Sequence, residues 1–177
     1  MAGWPEVHPL HVGLPALTSR GCSSVLSGLD LGPDDEVLVT DQEHFGLTAA
    51  VHASGVRVVL TEATEEALLA AVTPRTRLIA TSHVLWTTGR RLDLRGVREA
   101  SGLPVLVDGA QSAGAIVTGA GDFDFYTVSA QKWLCGPEPT GALFVRDPDA
   151  LRIAAPGYMS QTSYEPTGAF VAKDGAP

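Results

Sequence analysis

The sequence predicts an α/β fold with a mostly parallel sheet and flanking helices, and three observations carry that expectation. Six short runs rich in Val, Ile, Leu and aromatic residues recur along the chain. Helix-compatible stretches lie between several of them. The composition is that of an ordinary globular domain, 45% hydrophobic and 18% charged over 177 residues. Short apolar runs alternating with helical stretches are the pattern of βα units, which pack helices against a parallel sheet.

The elements follow in chain order. "GCSSVLSGLDL" (21–31) opens with small polar residues and then spaces its apolar ones, so a helix is expected there. "EVLV" (36–39) and "VRVVL" (56–60) are the first two strands. "ATEEALLAAV" (63–72) places acids in its first turn, which the positive end of a helix dipole favours. "LIATS" (78–82) is the third strand, and "DLRGVREAS" (93–101) is a further helix. "PVLVD" (104–108), "FYTVS" (125–129) and "GALFV" (141–145) complete the set of strands. After Pro156 the chain is rich in turn residues and has no clear period, so irregular structure or a connector is expected.

Bulk properties exclude several classes. The formal net charge is −8, with only 12 Lys and Arg, which argues against nucleic acid as a partner. No apolar run approaches the roughly 20 residues of a membrane helix, so no membrane association is expected. The start, "MAGWPEVHPLHVG", lacks a basic segment followed by an apolar block, so no signal peptide is expected. The expected location is cytoplasmic, with Cys22 and Cys135 as free thiols.

Two residues stand out chemically. Asp108 ends one apolar strand, and Lys132 follows another, 24 residues later. In parallel sheets the carboxyl ends of strands line the ligand crevice. An acid at such a place either acts on a ligand or caps the following turn. A lysine there is either a surface charge or, if dry, a nucleophile with a lowered pKa. The stretch from Phe125 to Pro137 carries no acid, so a desolvated Lys132 is expected. Other readings fail. "AQSAG" imitates a nucleophile elbow around Ser112, but all five histidines precede it, against the order Ser, acid, His. "GPEPTGA" imitates half a phosphate loop but has Ala142 where lysine belongs. "DQEH" has no partner set of metal ligands.

"VLVDGAQSAG" followed by "DFDFYTVSAQKWLCGPEPTGALFV" resembles the class-V aminotransferase group of fold-type-I pyridoxal-phosphate enzymes. "GLDLGPDDEVLVTDQEH", "RTRLIATSHVLWTTG" and "GYMSQTSYEPTGAFVAKDGA" resemble further segments of that group, in the same order. The resemblance covers nearly the whole chain from about Ala16. Among its branches, "SHVLWTTG" and "SAQKWLCGP" look most like the isopenicillin-N-epimerase-like proteins, which include carbon–sulfur lyases of ergothioneine biosynthesis.

The resemblance implies a partial chain: a segment 1–15, a partial large domain over 16–155, and a connector over 156–177 leading to a small domain. It implies pyridoxal 5'-phosphate as cofactor, an amino acid as small-molecule substrate, and a homodimer. Lys132 would hold the cofactor as a Schiff base and move the substrate proton, and Asp108 would keep the pyridine nitrogen protonated. His44 would stack on the ring, and Gln111 would meet its phenolic oxygen. Ser129 and Gln131, with Thr18 and Ser19, would hold the phosphate; simple helix capping is the other reading of Thr18 and Ser19. Trp133 is expected in the core and Cys135 as a packed small residue. Trp86 stands where many aminotransferases and desulfurases carry Asn, which argues against those branches. The implied activity is lyase-like β-elimination at sulfur. The alternatives are epimerisation, or a large-domain remnant that binds cofactor weakly or not at all and has no catalysis.

Overall fold

The computed structural model describes residue 8 and residues 11–173. A seven-stranded sheet is built from β1 (Val12–Gly13), β2 (Glu36–Thr40), β3 (Arg57–Thr61), β4 (Thr76–Ser82), β5 (Val105–Asp108), β6 (Phe125–Ser129) and β7 (Gly141–Val145). Its spatial order is β1-β7-β6-β5-β4-β2-β3. The pairs β2–β3, β2–β4, β4–β5 and β5–β6 are parallel, whereas β7 runs antiparallel to both β6 and β1. Five strands therefore point their carboxyl ends the same way.

Six strands form where expected, β1 is an addition, and the central strands are covered on both faces whereas the edge strand β3 is largely exposed. Val37 and Val39, Leu78 and Ala80, Leu106, and Phe125 pack on one face. Leu38, Ile79, Val105 and Val107, and Tyr126 pack on the other. Alternate residues point to opposite faces, so strands covered on both sides read as continuous apolar runs. α1 (Thr18–Gly28) and α2 (Phe45–Ala53) bury Cys22, Val25, Leu47 and Val51 on the first face. α3 (Glu65–Ala70) and α4 (Leu94–Ser101) bury Leu68, Leu94 and Val97 on the second.

Helix ends show local chemistry. Thr64 caps α3, its Oγ1 accepting from Ala67 N at 3.1 Å. Asp93 caps α4 through Gly96 N at 3.0 Å, and Gly102 ends that helix in the left-handed region at φ 67°. α1 begins three residues before the expected start, because Leu17, with no side-chain bond, stands at its N-cap. α2 was not legible in the sequence: His44 is its cap, and the apolar residues that bury it, Leu47, Ala50 and Val51, follow directly. The tail also departs from expectation. β8 (Gln161–Tyr164) and β9 (Phe170–Ala172) pair as an antiparallel hairpin, since both ends of the Glu165–Ala169 turn are hydrogen-bonded. Among the described residues no helix is long and apolar enough to cross a membrane.

Candidate active site

The strand order reverses between β2 and β4: from β2 the chain moves outward to β3, then returns to run β4, β5, β6 the other way. Ligands of open α/β sheets sit outside the carboxyl ends of strands at such a switch point. A cleft of about 340 Å³ lies there. It is lined by all eight residues singled out in the sequence: Thr18, Ser19, His44, Asp108, Gln111, Ser129, Gln131 and Lys132.

Asp108 is the last residue of β5 and is buried. Its Oδ1 accepts from Ala110 N at 2.8 Å, so one oxygen does cap the following turn. Among the described residues the other oxygen accepts no hydrogen bond. Burial pushes its carboxyl above the usual carboxylate range, and the neighbouring Glu43 charge adds to that, while Lys132 and His44 oppose it. Gly109 follows because nothing larger fits. A Cβ there would lie 2.5 Å from the Thr127 carbonyl oxygen and 2.5 Å from the Tyr126 ring.

The other end of the cleft is built by α1 and β6. Gly21 lets the helix approach closely; a Cβ there would meet Thr127 Cγ2 at 2.8 Å. Thr18 Oγ1 and Ser129 Oγ then hydrogen-bond at 2.6 Å, 111 residues apart in sequence. Thr18 and Ser19 are the first two helical residues and neither caps α1, which removes the capping reading. Their backbone N–H groups are helix-start donors without intrahelical partners. No acid lies in that first turn. Gln131 Oε1 is buried without a hydrogen-bond partner.

His44 Nδ1 accepts from Gly46 N at 3.0 Å, and the Trp86 indole meets the ring edge-on at a centroid distance of 5.7 Å. Gln111 Oε1 accepts from Trp133 Nε1 at 3.0 Å, which leaves its amide nitrogen as a donor. This contact corrects the expected core position of Trp133, which is 57% exposed. Cys135 is likewise exposed, with a left-handed φ of 52°. Lys132 is exposed rather than desolvated, because the loop after β6 has nothing packed over it. Ser112 is fully buried and bonded to Tyr126 Oη at 2.7 Å, which disposes of it as a nucleophile.

One residue escaped the sequence reading. Glu43 received no role beyond a failed metal motif, yet it accepts four hydrogen bonds at the edge of the cleft. Its Oε1 accepts from Thr40 Oγ1 at 2.5 Å and Thr81 Oγ1 at 2.6 Å; its Oε2 accepts from Ser82 N at 2.9 Å and Ser82 Oγ at 2.5 Å. The threonines and serine ending β2 and β4 were the available signal, but only strand adjacency reveals it.

Residues 17–165 match the family model for aminotransferase class-V. The chain belongs to the class-V aminotransferase family. Isopenicillin N epimerase of Streptomyces clavuligerus is 32% identical over 176 residues, covering 89% of this chain and 44% of that relative. The solved complex of the cystine C–S lyase C-DES with its reaction product cysteine persulfide superposes with a TM-score of 0.82 at 30% identity, covering 94% of this chain and 49% of that one. A C-DES mutant with glycine covalently linked to the PLP cofactor superposes equally well, at 29% identity and the same coverage. The fold is thus that of the large domain of fold-type-I pyridoxal-phosphate enzymes. The chain spans about half the length of the curated relatives it matches.

Proposed function

We propose that this class-V aminotransferase chain binds pyridoxal 5'-phosphate in the switch-point cleft and acts on an amino acid, with lyase-like β-elimination at sulfur as the reaction. The family match and the cofactor-linked C-DES structure support that cofactor. The convergence of the eight residues on one cleft carries the reading. The donor set fits the group. Ser129, Thr18, Ser19 and the start of α1 gather donors for a phosphate at one end, and Gln131 lines the same cleft. A buried carboxylate with one open oxygen stands at the other, suited to a protonated ring nitrogen.

When bound, the cofactor supplies an electron sink for the charge left at the substrate α-carbon. The chain's own residues do the rest. Asp108 Oδ2, which accepts no other bond among the described residues, would accept the ring N–H and hold that proton. His44, pinned by Gly46 and Trp86, presents its ring to the cofactor face. Gln111 donates to the phenolic oxygen through its free amide nitrogen. Lys132 Nζ would hold the cofactor before substrate arrives and would be the base for the α-proton. Loss of a β-sulfur group would then be elimination, and return of the proton on the opposite face would be epimerisation, a second reading that the similarity to isopenicillin N epimerase supports.

The exposure of Lys132 favours the alternative of a large-domain remnant without catalysis. It also points to a covering surface. Phe45, Trp86, Trp133 and Leu134 expose apolar area around this loop and cleft, and we assign that area to a homodimer contact. Residues 16–155 are proposed as the cofactor-binding part and 156–177 as the connector, in a cytoplasmic protein. Titration of the full chain with pyridoxal phosphate tests the function. A visible band should appear, borohydride should convert it to a covalent adduct at Lys132, and Lys132→Ala should abolish it. Thiol release from cysteine conjugates separates the lyase from the remnant. Absence of a band, or an adduct at Lys173, would refute the cofactor site.

A further inference from the structure

Glu43 lies where β2 ends, on one side of the crevice, and every group it binds lies on strands flanking that crevice. Thr40 closes β2, while Thr81 and Ser82 close β4. Both of its oxygens are used, and all four donors are neutral. Among the described residues no cation pairs with it. Four neutral donors thus satisfy both oxygens without a counter-charge beside them. Ser82, which gives Glu43 both its N–H and its hydroxyl, is the register partner of Asp108 in the parallel β4–β5 pair. Glu43 thus lies in the loop after β2, bonded to the β4 residue that pairs with Asp108.

We propose that Glu43 is a positioning residue with two tasks: it clamps the ends of β2 and β4 across the switch point, and it places a second negative charge behind Asp108. The clamp fixes His44, the next residue in the chain. The charge makes the floor of the cleft selective for a cationic aromatic nitrogen over a neutral one. This inference rests on the cofactor reading of the same cleft. The ionisable groups around the pair are Lys132 and His44 at the cleft, Cys22 from α1, and Tyr126 below Asp108. Cys22 and Tyr126 are both pushed upward by burial and stay neutral, so Lys132 and His44 are the groups that oppose the two carboxylates. The upward displacement of the Asp108 carboxyl, to which Glu43 contributes after burial, agrees with this placement.

Glu43→Gln isolates the charge. The Gln oxygen can still accept from Ser82 N, and its amide can donate to the Thr40 and Thr81 hydroxyls, which accept as well as donate. The clamp therefore survives and the charge is lost. Glu43→Ala removes both. In the full chain without added cofactor, NMR titration of 13C-labelled aspartate should show a lower Asp108 midpoint in Glu43→Gln than in wild type, as expected for loss of a nearby like charge. Thermal melting should leave Glu43→Gln near wild type and lower Glu43→Ala. Pyridoxal phosphate should bind Glu43→Gln more weakly than wild type, because one of the two negative charges at the ring-nitrogen end is lost.

An unmoved Asp108 midpoint in a folded Glu43→Gln chain would overturn the charge role. Equal losses of melting temperature in the Gln and Ala variants would overturn the separation of charge from clamp. A wild-type Asp108 that titrates at or below an ordinary carboxylate would overturn the proposal without any variant. If the wild-type chain binds no pyridoxal phosphate, the cofactor reading fails, and the aspartate titration still decides the placement of charge.

Discussion

Replacing Gly109 by alanine should destabilise the chain by about 2–4 kcal/mol, a figure that follows from the fixity of what its Cβ would meet. The new atom would lie 2.5 Å from the Thr127 carbonyl oxygen and 2.5 Å from Tyr126 Cζ. Neither neighbour can retreat cheaply. The Thr127 oxygen accepts from Gly109 N at 2.9 Å, so opening the gap breaks a bond between β6 and the turn after β5. The Tyr126 ring is stacked on Phe123 at 5.6 Å and tied through its hydroxyl to Ser112 at 2.7 Å. Overpacking in a rigid core costs about 1–3 kcal/mol, and the strained backbone bond adds about 1 kcal/mol. For a domain of this size that lowers the melting temperature by roughly 5–15 °C. Urea unfolding followed by circular dichroism should show a lower midpoint with an unchanged slope. Gly121→Ala is the internal control, since a Cβ there meets nothing within 4 Å. A Gly109→Ala midpoint equal to wild type, or equal losses at both glycines, would refute the reasoning. Because Gly109 follows Asp108, the same change should also displace that buried carboxylate in the cleft.

Two further outcomes are expected. Burial, reinforced by the nearby Arg91 charge, pushes His83 down to about 4 from its ordinary value of 6.5. Between those values the unfolded chain binds a proton that the folded chain refuses, so stability should fall as pH drops from 6.5 towards 4. His83→Leu should flatten that part of the stability profile in pH-dependent urea melts; an unchanged slope would contradict the burial of a neutral imidazole edge-on to Phe123 and Tyr126. Of the two free thiols, Cys135 is exposed, whereas Cys22 is buried and its thiol is pushed up by burial and the Asp108 charge. A thiol reagent should therefore modify Cys135 alone in the folded chain and both in urea, and rapid labelling of Cys22 without denaturant would contradict the packing of α1 on the sheet.

The sheet was legible in the sequence because its central strands are covered on both faces. Such strands must be apolar at every position, and runs like "VLVD" (105–108) announce themselves without knowledge of their partners. α3 and α4 were legible for a similar reason: Thr64 and Asp93 satisfy their helix starts within a few residues. Asp108 and Lys132 drew notice because strand ends carry chemistry in parallel sheets. What the sequence could not supply was anything that depends on residues far apart along the chain. The Thr18–Ser129 bond spans 111 positions, and three of the four bonds of Glu43 need β2 and β4 to be neighbours although β3 lies between them in the chain. Exposure was equally hidden. An uncharged surrounding sequence suggested a dry Lys132 and a core Trp133, yet both lie on a loop that no other element covers. Local composition determines which segments become strands and helices, because their hydrogen bonds and apolar periods close within a few residues. Burial and the meeting of side chains at a cleft are sums over distant contacts, and only the tertiary structure decides them.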